Sequence, residues 1–342
     1  MAALTLGPAC TQATPGAAER AQPGPAPAPA AAGGAEAPPT VADPPPTPPA
    51  VGEGLALAYR FTAGDRWREA VDLELHSSRA GEAPDETPTM IQRRRELFEI
   101  VDAGPDGASV RVTLERVELE PRGGAAIDSD AEAPPPADAF ALERLALVDV
   151  PMTYRLGGDG ATLELVDEPG LRAAADGRWE ALRAEAGLAA PTAEERARFR
   201  HSVADELTSS REWGIRPVLP RAPVAVGGAW TESVRTSTLF NAEVVWTIRH
   251  ALEAADDGRV TITRDGEAAF NKSPTMARLL PRADAGLAGE LVVDRESGAL
   301  LRAETTVTAL VEAAPQPDAG FPGGTLKMRR IVKRRRLDDA AE

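Results

Sequence analysis

The chain has 342 residues, 43% of them apolar and 4% aromatic, with a formal net charge of −15. That length holds one large domain or two ordinary ones, and the charge repels nucleic acid and anionic membrane except where basic residues cluster. One cysteine excludes an intramolecular disulfide or a Cys-based zinc site, and no apolar run is long enough for a transmembrane helix.

Residues 1–54 carry 13 of the 31 prolines and only five charged residues. Proline lacks an N–H and fixes φ, and there is little here to bury, so composition predicts a disordered, extended spacer. The lone Cys10 precedes this spacer, after Ala9. A cysteine at that place reads as a lipidation site, with the spacer holding a folded domain off a membrane. Nine preceding residues are short for a signal peptide, so this reading expects further signal upstream. The alternative is a chance cysteine in the tail of a cytoplasmic protein.

From Leu55 the pattern becomes two-fold. Leu55, Leu57, Tyr59 and Phe61 alternate, a turn falls at Gly64-Asp65, and Trp67, Val71, Leu73 and Leu75 alternate on one face. Arg66, Arg68, Asp72, Glu74 and His76 take the other face, where His76 is expected to be solvated. This reads as a half-buried antiparallel hairpin. Residues 93–119 give a second hairpin around Gly104-Pro105-Asp106-Gly107, with a phase slip before Val117 that predicts a bulge. A third hairpin turns at Gly157-Gly158-Asp159-Gly160. Residues 168–213 switch to a helical period. One helix runs through Leu171, Trp179 and Leu182. A second opens on the capping box Thr192/Glu195 and carries Phe199, Val203 and Leu207.

The β pattern then returns and repeats. "FTAGDRWREAV" (61–71) is echoed by "VAVGGAWTESV" (224–234), residues 97–118 by 248–269, and 152–167 by 289–304. Three units in the same order, with Trp67 and Trp230 at matching places, point to a duplicated β module. A last alternating strand lies in residues 325–339.

The tyrosine strand with Gly-Asp and Trp at 59–67, "LPRAPVAVGGAWTE" at 219–232 and "LVVDRESGALLRAE" at 291–304 resemble a family of uncharacterised bacterial envelope lipoproteins rich in antiparallel β structure. The resemblance covers Leu55 to about Leu337. A more distant architectural likeness is to lipoprotein-carrier half-barrels, in which a curved sheet cups an apolar ligand under helices.

Chemistry is sparse. There are three histidines and no motif for a nucleophile, a phosphate loop or a metal. His250 shares a face with Val244, Trp246, Ile248 and Leu252, where it is either a core imidazole or one facing a ligand. Trp67, Trp246 and His250 are therefore the candidate ligand-facing residues. "KMRRIVKRRR" (327–336) holds seven basic residues in ten. It reads either as a patch for an anionic partner or, preferred here, as a strand neutralised by acidic neighbours such as "ERVELE".

These readings predict an α+β fold, mainly antiparallel β. Its curved sheet or half-barrel is built from two related β modules (55–167 and 214–339) with a helical insertion (168–213), after the spacer 1–54. The expected role is a non-catalytic cell-envelope lipoprotein, without cofactor or metal. It would bind a hydrophobic or envelope-derived ligand or a protein partner, touch the membrane only through Cys10, and bind no nucleic acid. The alternatives are a scaffold with a filled core and, third, a hydrolytic enzyme. A roomy pocket lined by Trp and Leu would favour ligand binding; a filled interior would favour the scaffold.

Overall fold

A computed structural model describes residues 54–79, 87–131, 138–160, 163–212, 218–237, 243–256, 258–315 and 323–337. Cys10 and the spacer lie outside the described residues.

Twelve strands form one antiparallel sheet. The first module supplies β1 (Arg66–Arg79), β2 (Met90–Gly104), β3 (Gly107–Pro121), β4 (Ile127–Asp128), β5 (Pro151–Gly157) and β6 (Leu163–Val166), with helix α1 (Ala139–Leu145) between β4 and β5. Helices α2 (Glu168–Glu185) and α3 (Ala193–Glu212) follow. The second module supplies β7 (Ala229–Ser237), β8 (Glu243–Ala255), β9 (Arg259–Asn271), helix α4 (Pro274–Leu279), β10 (Arg282–Asp294), β11 (Leu300–Ala313) and β12 (Gly324–Leu337). The sheet order is β6-β5-β3-β2-β1-β12-β11-β10-β9-β8-β7, with β4 on β3, and the curved sheet does not close.

This order explains the helices. β1 and β12 pair in the middle, so the two modules share one continuous ladder, and β6 and β7 are left as opposite edges. The chain must therefore travel from one edge to the other, and residues 168–212 make that journey as α2 and α3. The capping box closes the start of α3: the Glu195 amide donates to Thr192 Oγ1 at 3.2 Å, and the Thr192 amide donates to Glu195 Oε2 at 2.8 Å. Leu171, Trp179, Leu182, Phe199 and Val203 pack with α1 against Leu114, Val117 and Leu119 of β3. The Trp179 and Phe199 rings stack 4.5 Å apart and lock α2 to α3.

The slip before Val117 is a bulge. Arg95 faces Arg116 and Glu96 faces Leu114, so Glu115 is the extra residue. Its side chain receives the Arg68 guanidinium at 2.9 Å. β2 and β8 are also each irregular once, at Val101 and at Glu253.

The expected first strand is not one. Residues 55–61 form no ladder beyond a single bridge from Leu55 to Val224. The segment instead runs extended over the second module. Leu57 and Tyr59 pack on Leu252, Ile262 and Leu291, and the Arg60 amide donates to the Ser297 carbonyl at 2.9 Å. Its alternation reflects burial against a sheet face rather than pairing in the sheet. His76 also departs from expectation, being 7% exposed rather than solvated.

A buried polar belt and an open trough

Alternation places Trp67, Phe98, Val112 and Tyr154 on one face of the sheet, together with Ile262, Leu291, Trp246 and Ile248. This packed face holds the four apolar clusters and should be uniformly greasy. It is crossed by a belt of charge instead.

In the first module Glu69 and Glu96 stand directly opposite each other on β1 and β2, both buried. Two neighbouring buried carboxylates are tolerable only with a cation between them. Arg334 of β12 supplies it, donating to Glu69 Oε2 at 2.7 Å and lying 3.1 Å from Glu96 Oε2. The Trp67 indole N–H donates to Glu69 Oε1 at 2.8 Å, and Arg94 approaches Glu96 at 3.4 Å. Burial alone pushes the Glu96 carboxyl up. The charges of Arg334 and Arg94 outweigh that and hold it below the usual glutamate value.

In the second module Glu232 of β7 lies 3.1 Å from His250 Nε2, and Trp230 stacks on the imidazole at 5.2 Å. Arg264 donates to Thr305 Oγ1 across β10, passing Gly289, where no side chain blocks the path. Burial drags the Arg264 guanidinium down to about 10, and the Glu232 charge pushes back.

Two features recur in both halves. Trp67 faces and stacks on Phe98 at 5.2 Å; Trp230 faces and stacks on His250 at the same separation. Each Trp is followed two residues later by a carboxylate on the packed face, Glu69 or Glu232. Glu69, Glu96, Arg334, Glu232 and Arg264 were not among the residues picked out by sequence. A signal existed: in both "WREAV" and "WTESV" a glutamate occupies an apolar phase position.

The sequence candidates Trp67, Trp246 and His250 are all buried, at 5%, 4% and 0% exposure. None of them lines the cavity that the strand ends form. That cavity, about 770 Å³, lies over β1, β12, β11, β10 and β9. His76, Ser78, Lys327, Arg329, Thr308 and Leu310 line it from the face opposite Trp67, while Ser77, Met328 and Ala309, in phase with Trp67, also border it where the strands end. Asp284 and Glu267 stand on its far side. Asp284 is held by Arg282 at 2.5 Å. Both His76 ring nitrogens are buried without a hydrogen-bond partner; the nearest carboxylate, Glu74, is 3.6 Å away, beyond hydrogen-bond reach. Glu74, His76 and Ser78 alternate on one face, yet no relay of hydrogen bonds connects them.

The basic strand β12 is flanked by β1 and β11, not by "ERVELE" as expected. That acidic stretch belongs to β3 and instead neutralises Arg93 of β2, through Glu118 at 3.3 Å and Glu120.

No family model matches the sequence, and no curated protein matches it. The likeness to envelope lipoproteins thus stands on the residues alone. Among solved structures, a lipovitellin described for its lipid–protein interactions aligns over 82% of this chain and 26% of its own, at 10% identity and a TM-score of 0.41. The chain therefore spans about a quarter of that protein. A protein described as exported, with a YmcC-like fold, from Bacteroides fragilis aligns over 83% of this chain and 100% of its own, at 7% identity and a TM-score of 0.20. At these scores neither likeness carries an argument about this chain.

Proposed function

We propose that this chain is a non-catalytic binding protein of the cell envelope that takes an amphiphilic, envelope-derived molecule in the trough over β1 and β9–β12. The supporting observation is the cavity itself. Its volume of about 770 Å³ falls in the range of small-ligand sites, and its lining, mostly charged and hydroxyl side chains, includes Leu310, Met328 and alanines. Cys10, once acylated, would hold the domain near the membrane that supplies the ligand. The matched Trp pairs, and the strand irregularities three residues beyond Phe98 and His250, support duplication of one β module as the origin of the sheet.

The test is titration of the full chain with dodecyl maltoside, a neutral amphiphile, and with dodecyl phosphate, both below their micelle concentrations, by isothermal calorimetry. Saturable binding of at least one is expected. Binding of neither would overturn the ligand reading. It would favour the second one, an interaction scaffold, which draws support from the filled packed face where Trp67, Trp246 and His250 are buried. For the anchor, labelled palmitate is expected to enter the chain and not its Cys10→Ser variant, both expressed from the native locus.

A further inference from the structure

The seven cations of β12 do not share one fate. Arg334 is consumed by Glu69 and Glu96 on the packed face. On the opposite face, Lys333 stands between Asp72 of β1 and Glu304 of β11. Two and three positions further back along that face the pattern breaks. Arg329 stands between His76 and Thr308, and Lys327 between Ser78 and Leu310. Neither has a carboxylate beside it in the ladder, and neither makes an ion pair with a described residue. Both line the cavity. Arg335, at the other end of that face, stands between Ala70 and Arg302, so what sets Lys327 and Arg329 apart is their place at the cavity beside His76.

A third donor joins them. The His76 imidazole is buried at the cavity wall with both nitrogens unpaired, a state that ordinarily costs stability unless a partner arrives. The hydroxyls of Ser78 and Thr308 stand on either side of this group. Two cations without an ion pair to a described residue stand with that imidazole at one end of the hollow, where Glu74 is 3.6 Å from the ring; Asp284 and Glu267 occupy the far end, so a negative group is favoured at the basic end alone. Leu310, beside Lys327, gives that hollow an apolar shoulder.

We infer that Lys327, Arg329 and His76 form an anion-binding site for the phosphate or carboxylate headgroup of an amphiphile whose chain lies along Leu310. This inference rests on the trough reading above and specifies the ligand's charge. Lysine and arginine fix the oxyanion by charge-assisted hydrogen bonds, and the imidazole gains the partner it lacks.

The test compares dodecyl phosphate, dodecyl maltoside and inorganic phosphate on the full chain and on three variants, Lys327→Gln/Arg329→Gln, His76→Gln and Lys333→Gln. Dodecyl phosphate is expected to bind the wild type most tightly, and the double variant to lose about tenfold or more of that affinity. Dodecyl maltoside binding should be unchanged in the double variant, which also shows that it is folded. Lys333→Gln, at a position flanked by Asp72 and Glu304 in the ladder and outside the cavity lining, should bind as the wild type does. His76→Gln, which keeps a donor, should lose less than the double variant. Equal affinity for both amphiphiles, with no effect of the double substitution, would overturn the anion site while leaving the trough reading standing. Inorganic phosphate bound as tightly as dodecyl phosphate would keep the anion site and remove the amphiphile. Binding of none of the three probes would remove both.

Discussion

Arg334 and Glu69 meet at 2.7 Å across β12 and β1, the one strand pair that joins the last element of the chain to the first. Glu69 is fully buried and the Arg334 side chain only 12% exposed, so each depends on the other for compensation. Arg334→Met leaves Glu69 and Glu96 as opposed buried carboxylates. The expected loss is about 3–5 kcal/mol by urea denaturation. A charge-free variant carrying Glu69→Leu, Glu96→Met and Arg334→Met should recover most of it, because desolvation of the trio nearly cancels its attraction. Equal destabilisation of the single and triple variants would show that packing, not charge, is at stake.

The same trio sets part of the acid response. Glu96 sits below its ordinary value in the folded chain, so it contributes stability at neutral pH. That contribution is lost as pH falls from about 4.3, the ordinary glutamate value, through the folded one. Asp128, Asp256 and Asp294 are lowered too, by hydrogen bonds from Arg116, Gly258 and Ser297 respectively, and fade in the same acid range. The difference between wild type and Glu96→Gln isolates Glu96. Urea midpoints measured from pH 7 to pH 3 should converge as pH drops. Parallel curves would mean that Glu96 does not titrate with folding.

Strands, hairpin turns, the Glu115 bulge and the two helices were legible because local chemistry writes them: alternation, Gly-Asp turns, a capping box. The belt was not read, because an alternation search treats a charge at an apolar position as noise. Glu69 becomes meaningful only when Arg334, 265 residues away, arrives opposite it. The same limit hid the role of residues 55–61. Alternation shows which side chains are buried, not whether a backbone finds a ladder partner. The partner of β12 was also a tertiary fact: "ERVELE" was chemically suitable, but topology gave it to β2. Trp67, Trp246 and His250 were correctly grouped with apolar neighbours, while of the trough residues His76 was read as solvated and Lys327 and Arg329 as part of a strand neutralised by acidic neighbours.

Arg264 and Glu232 form a second test of buried charge. Burial lowers the guanidinium to about 10, with Glu232 opposing, so at neutral pH the cation persists and needs that carboxylate. Glu232→Gln should cost about 1–3 kcal/mol. Combining it with Arg264→Met should cost less than the sum, with a coupling of at least about 0.5 kcal/mol in a double-mutant cycle. The carboxylate also faces His250, so His250→Gln in the same cycle separates the two partners. Additivity throughout would mean that the groups do not sense one another.

The stack of Trp179 on Phe199 carries the crossing from β6 to β7. Phe199 is fully buried and Trp179 is 3% exposed, and the ring pair is an aromatic contact between α2 and α3. Phe199→Ala opens a cavity between helices that have no hydrogen-bonded ladder to hold them, and should cost about 3–5 kcal/mol. Because this cluster also covers Val117 and Leu119, loosening it exposes the sheet itself. Unfolding monitored by far-ultraviolet circular dichroism and by tryptophan fluorescence should therefore stay a single transition, shifted to lower urea. Val101→Ala, at an irregular point of β2 and 44% exposed, is the control and should move the midpoint by no more than about 0.5 kcal/mol equivalent. A Phe199→Ala protein in which helix signal is lost before sheet signal would show instead that the helical crossing is an independent unit draped over a self-sufficient sheet.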